Sequence, residues 1–125
     1  MAFLFHVLVQ RARQCTAEAR EVGTAIALKL SGAGYPVVAA SSRSGAGARA
    51  LAARIPGCAA CDTNQQVAGL ADMVFVTTPD DVIVPVTDAV KWCAGQSVVH
   101  CSGADSAAIL ETAAGYGAAT GTLHP

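Results

Sequence analysis

Aromatic residues are scarce in this chain, at 5% of 125 residues. Its core must therefore be assembled from Ala, Val, Leu and Ile, which suits helices packed closely on a parallel sheet with continuous apolar strands. Charge is scarce too: 14% of residues are charged and 53% are hydrophobic, which excludes a disordered chain. With a net charge of -1 and no basic cluster, no nucleic-acid partner is expected. No apolar run approaches the ~20 residues that a membrane span requires. The apolar start, Ala2 to Val9, lacks a basic region ahead of it and a small-residue cleavage site, so no secretory signal is expected.

Cysteine is present without a framework. The five cysteines, Cys15, Cys58, Cys61, Cys93 and Cys101, are odd in number and scattered, as reduced cytoplasmic thiols would be. Cys58-Ala-Ala-Cys61 has no second pair to complete a zinc site, so no metal is expected. It reads either as a redox pair or as two small buried residues.

What the chain does have is alternation. Phe3 to Val9 reads as a strand, Val22 to Leu30 as a buried helix, and Ser31 to Pro36 as its stop. Val37 to Ala40, Cys58 to Cys61, Met73 to Thr77, Ser97 to Cys101 and Ala118 to Leu123 read as further strands. Helices are predicted at Ala46 to Arg54 and Asn64 to Leu70, then from near Pro85 with Val86, Ala89, Val90 and Cys93 on one face. A last helix, capped by Asp105 or Ser106, runs to about Ala114. The length fits a single domain over residues 1–125. Its fold class is α/β: a doubly wound parallel sheet of the Rossmann type, about six strands with helices on both faces.

In such a sheet ligands bind outside the carboxyl ends of the strands. The second strand runs directly into Ser41-Ser42-Arg43-Ser44, where an acid would read a free ribose 2′-hydroxyl and an Arg accommodates a 2′-phosphate. This stretch points to NADP rather than NAD. Arg43 also reads as an ordinary solvated residue. Thr77, Thr78, Pro79 and Asp80 offer hydroxyls and backbone groups to a ribose or nicotinamide, and equally read as a strand-ending turn with an N-cap aspartate. Ser102 and Gly103 follow the fifth strand. The first loop should carry G-x-G-x-x-G, yet Glu18-Ala19-Arg20-Glu21-Val22-Gly23 retains only its last glycine, which weakens cofactor binding. Gln10 to Ala17 then stands as a long insertion. His100 reads as a core histidine, and His124 could reach a substrate without a second catalytic partner.

Val22-Gly23-Thr24-Ala25, Ser42-Arg43-Ser44, Val76 to Asp81, Val99 to Ala104 and Leu123-His124-Pro125 stand in an order and spacing that resemble a known pattern. It is that of the N-terminal Rossmann-like domain of a family of NADP-dependent oxidoreductases whose members carry a C-terminal helical domain of unknown function. The family is similar to pyrroline-5-carboxylate reductases and deazaflavin-dependent NADP oxidoreductases. The resemblance covers Val22 to Pro125 and implies that Gly23, Thr24, Ser42 to Ser44, Thr77 to Asp80, Ser102 and Gly103 bind NADP. The family has Gly-Ala-Gly where this chain has Glu18-Ala19-Arg20, so residues 1–21 are atypical and are expected to stem from a shifted reading frame or altered start. The C-terminal helical domain is expected to be absent.

The leading expectation is thus an NADP-binding domain of a reductase that moves hydride to or from a small carbonyl or imine substrate, with no catalytic acid assigned. The rivals are a non-catalytic nucleotide-binding module, or a degenerate truncated fragment that folds, binds no cofactor and self-associates as a homo-oligomer through its exposed apolar face. A thiol-redox role for Cys58 and Cys61 is the third.

Overall fold

The computed structural model describes residues 5–8 and 17–123. One parallel sheet contains β1 (Phe5–Leu8), β2 (Val37–Ser41), β3 (Ala59–Cys61), β4 (Met73–Val76), β5 (Ser97–His100) and β6 (Ala119–Thr122). Its order is β3-β2-β1-β4-β5-β6. The chain winds outward from β1 to β3, then crosses back to place β4 on the other side of β1. The direction of winding reverses between β1 and β4, which makes that crevice the switch point of the sheet.

Helices α1 (Ala17–Gly32) and α2 (Ala46–Arg54) cover one face, and α3 (Asn64–Leu70), α4 (Ile83–Asp88) and α5 (Glu111–Gly115) the other. Strand β4 shows why its sequence is uniformly apolar: Val74 and Val76 enter the cluster with Ile83, Trp92 and Leu110, while Phe75 enters the one with Ala27, Leu51 and Ile55. Both sides of this strand are core. In β2 the register against β1 steps from Phe5–Val37 to His6–Ala39, so two residues oppose one. This bulge reverses the alternation of side chains, and Val37 and Ala40 consequently share a cluster. Small residues at Ala40, Ala27 and Ala48, each 1% exposed or less, allow the helices of that face to lie close.

The stop signal after α1 operates through Gly34 at φ 89°. The Tyr35 amide donates to the Leu30 carbonyl at 3.0 Å and the Gly34 amide to that of Ser31 at 3.1 Å, a Schellman closure that a residue with a Cβ disfavours. At the far end of the crossover into β5, buried Gln96 joins two elements. Its Nε2 donates to the carbonyls of Ala68 (2.6 Å) and Ala71 (2.9 Å), and its Oε1 accepts the Cys93 amide at 2.7 Å.

Several predicted boundaries move. Of the first strand, Phe3, Leu4 and Val9 lie outside the described residues, as do residues 10–16 of the expected insertion. The first helix begins at Ala17, not Val22, because Ala17-Glu-Ala-Arg-Glu21 is a run of strong helix formers. The fourth helix starts at Ile83 and carries Pro85 in its first turn, where the missing N–H would have had no intrahelical partner. It stops at Asp88 rather than continuing to Cys93. The Trp92 indole N–H donates to the Thr87 carbonyl at 3.0 Å and takes up one of the last acceptors. Val86 and Val90 are buried as expected, while Ala89 and Cys93 are exposed.

Candidate functional site

All six strands point the same way, so the segments leaving β2, β4 and β5 emerge at one edge of the sheet. The structure brings Ser42, Arg43 and Ser44, then Thr77, Thr78, Pro79 and Asp80, and Ser102 and Gly103 to that edge. Gly23 and Thr24 are not among them. They lie in the second turn of α1, about 9 Å along its axis from Ala17 at 1.5 Å per residue. The stretch from Glu18 to Gly23 that was expected to replace the phosphate loop is therefore helix.

After β2 the chain turns tightly into α2. The Gly45 amide donates to the Ser42 carbonyl at 3.2 Å, and Gly45 holds φ 78°, a left-handed conformation that glycine adopts without strain. Ser42 is buried, and its Oγ accepts the Ala48 amide at 3.0 Å; Ser44 Oγ accepts that of Ala46 at 3.4 Å. These hydroxyls satisfy two of the first-turn donors of α2 in place of a conventional cap. Arg43 stands exposed between them. A second guanidinium reaches the same turn: Arg49 Nη1 lies 2.6 Å from where a Cβ on Gly45 would sit. Sequence reasoning missed Arg49, although its spacing of four from Gly45 places both on one face of a helix. Behind the turn, Ser41 Oγ donates to Oδ1 of Asn64, the first residue of α3, at 2.7 Å.

After β4, Thr77 and Thr78 are both buried. The Thr78 hydroxyl has no hydrogen-bond partner among the described residues. Asp80 is not an N-cap: it lies inside a 3₁₀ turn, Asp80–Val82, preceded by Pro79 without a side-chain cap bond. Replacing the orphaned hydroxyl by an isosteric methyl is expected to stabilise the ligand-free domain. Thr78→Val should gain roughly 1 kcal/mol, because the cost of an unmade bond disappears. Thermal unfolding of the two proteins checks this, and a lower midpoint for the valine variant would contradict it.

After β5, His100 is fully buried and Ser102 nearly so. The imidazole is a core group, as expected, but it is also a tether. Its Nδ1 accepts the Ser102 amide at 3.1 Å, and its Nε2 lies 2.8 Å from the Ser106 carbonyl. Ser102 Oγ donates to Asp105 Oδ2 at 3.0 Å and accepts the amides of Ala104 and Asp105, both at 3.2 Å. Of the two expected caps Ser106 serves, accepting the Ala108 amide at 3.2 Å, but it caps a 3₁₀ turn, Ala107–Leu110, that leads into α5 rather than an α-helix starting there. Gly103 is exposed at the tip of this loop.

Residues 7–125 match the Rossmann-like domain family. The chain belongs to that family. The match begins at residue 7 rather than at Val22. No curated protein matches the chain. Among solved structures, this Rossmann-like domain superposes on a reductive aminase from Aspergillus terreus in complex with NADPH and ethyl levulinate, with TM-score 0.70 and 17% identity over 96% of this chain and 40% of that one. A Bacteroides fragilis protein provisionally described as an NADP oxidoreductase gives TM-score 0.70 and 19% identity over 98% of this chain and 44% of that one. An imine reductase from Bacillus cereus gives TM-score 0.62 and 22% identity over 94% and 40%. At these identities the likeness is one of fold. The chain spans about two fifths of the length of these structures.

Three thiols of the Rossmann-like domain, Cys58, Cys61 and Cys101, are shifted toward their protonated form. Burial pushes the Cys101 thiol up to about 11. Burial also raises Cys58, with Cys61 adding to it, and raises Cys61, with the Asp62 carboxylate adding to that. Cys58 immediately precedes β3 and Cys61 ends it. An extended segment of that length separates the two by about 10 Å, more than a disulfide can bridge. The Cys58/Cys61 redox expectation therefore lacks both a thiolate and the required closeness. Alkylation of Cys101 by iodoacetamide should be slow at neutral pH and should accelerate as pH rises toward 11, since only the thiolate reacts. Mass spectrometry of the modified peptide measures this, and a rate that levels off near pH 8 would contradict it. Among the described residues no group of His, Cys, Asp and Glu could hold a metal ion, and no helix is long and apolar enough to cross a membrane.

Proposed function

We propose that this Rossmann-like domain binds NADP(H) and serves as the cofactor domain of a reductase acting on a small carbonyl or imine substrate. The observation that carries the reading is the turn after β2. It places Arg43 and the Arg49 guanidinium at a helix start with no carboxylate within the turn, and Ser42 and Ser44 line it. A 2′-phosphate suits such a group; a free 2′-hydroxyl would want an acid there. The buried hydroxyl of Thr78, which has no partner among the described residues and lies at the edge beside the switch point, fits a ligand that supplies a bond there.

In this proposal Ser42, Arg43, Ser44 and Arg49 hold the adenosine end. Thr77 to Asp80 and the Ser102–Gly103 loop line the nicotinamide end. NADPH bound there would supply the hydride, while the chain's own groups orient it. The reductive aminase with NADPH and ethyl levulinate supports a carbonyl or imine substrate class. That structure is far longer than residues 1–125, so in this reading the substrate side of the cleft lies outside this domain.

A second reading, a folded module that binds no dinucleotide, is favoured by one observation: Glu18 to Gly23 is helix, and the glycine pattern is absent from it. Calorimetric titration separates the two. Micromolar binding of NADPH, with NADH much weaker, supports the cofactor domain. Absence of binding by both overturns it in favour of the second reading.

A further inference from the structure

We infer that His100 is a positioning residue for the loop Cys101–Ser106, setting the nicotinamide side of the site from beneath. The inference rests on the proposed NADP(H) reading. A backbone N–H donates to Nδ1, so Nδ1 carries no proton, and the neutral ring must then carry its proton on Nε2, which donates to the Ser106 carbonyl. Both bonds thus demand the same tautomer. One fully buried side chain grips the loop at its beginning and its end.

Between these two grips, the Ser102 hydroxyl gathers the amides of Ala104 and Asp105 and gives its proton to the Asp105 carboxylate. The loop has internal bonds as well as an anchor. Gly103 and Ala104, between the two grips, are left exposed, as is Ser106 at the second of them. The pairing of Val76 with His100 sets this loop beside the Thr77–Thr78 segment, since both leave adjacent parallel strands at the same level. An imidazole that merely filled space could be replaced by any residue of similar volume. One that positions Ser102 cannot.

Two substitutions separate the grips. His100→Asn keeps an acceptor at the place of Nδ1 and loses the contact with Ser106. His100→Gln keeps a donor at the place of Nε2 and loses the tether on the Ser102 amide. Each variant and the wild type are titrated with NADPH and with 2′,5′-ADP, which reaches the adenosine end alone. The expected result is a roughly tenfold loss of NADPH affinity in His100→Gln, a smaller, roughly threefold loss in His100→Asn, and unchanged 2′,5′-ADP binding in both. Equal losses in both variants, or parallel losses for both ligands, would reduce His100 to a core residue and overturn the inference. Wild-type protein that binds 2′,5′-ADP and NADPH with variants that match it overturns this inference alone; wild-type protein that binds neither ligand overturns the NADP reading beneath it as well. Should neither histidine variant fold, Asp105→Ala loosens the same loop without touching the core. It should weaken NADPH severalfold and spare 2′,5′-ADP, and unchanged NADPH affinity there would overturn the inference.

Discussion

Arg43→Ala is expected to bind NADPH roughly tenfold more weakly than the wild-type domain while binding NADH equally well. A hydrogen-bonded contact between a guanidinium and a phosphate contributes about 1.5–3 kcal/mol, and each 1.4 kcal/mol is a factor of ten. The lower part of that range applies because Arg43 is exposed and solvent and salt screen it. Arg49 moderates the loss further: its guanidinium lies over Gly45 in the same turn and remains in the variant. The double variant Arg43→Ala/Arg49→Ala should therefore lose more than either single change, and the remaining preference for NADPH over NADH should vanish. Raising the salt concentration should narrow the wild-type preference in the same direction. Isothermal titration at two ionic strengths makes the measurement. A wild-type-like NADPH affinity in the double variant would remove the turn after β2 from the cofactor site.

The largest effect on stability should come from Gln96→Leu, which keeps the volume and removes the amide. Three partners lose their bonds: the carbonyls of Ala68 and Ala71 and the Cys93 amide. Each of the two buried carbonyls left unpaired costs about 1–3 kcal/mol and the part-buried Cys93 amide less, so a loss of roughly 3 kcal/mol is expected. In urea the midpoint should fall with little change in the slope, because the surface exposed on unfolding stays the same. A loss below roughly 1 kcal/mol would mean that the three groups find other partners and that Gln96 is not the link between α3 and β5.

Much of the fold could be read from residue order. The apolar runs at Val37, Met73 and Ser97, separated by helical stretches, led to a doubly wound parallel sheet, and helices Ala46–Arg54 and Asn64–Leu70 appear with the predicted bounds. The glycine-rich stop after the first helix works as its composition suggested, through Gly34. The site was legible only where it follows directly from a strand end. Ser42 to Ser44, Thr77 to Asp80, and Ser102 with Gly103 reach the carboxyl edge because parallel strands deliver their C-terminal neighbours to one side. Gly23 and Thr24 lie inside α1 rather than in a loop, because the helix-forming run at Ala17 to Glu21 carries the helix start ahead of them.

What the sequence by itself determined is the alternation of apolar and amphipathic segments, and with it the winding of the sheet. Those properties depend on neighbours a few residues apart, and local sequence contains them. Only the tertiary structure decided which polar groups meet. It brought Arg49 back over Gly45, laid Gln96 across to Ala68 and Ala71, seated His100 beneath Ser102 and Ser106, and left the Thr78 hydroxyl without a partner among the described residues. Hydrogen bonds of this kind are directional and short, and several join residues more than twenty positions apart. Hydropathy carries no record of them; the packing of helices on the sheet creates them.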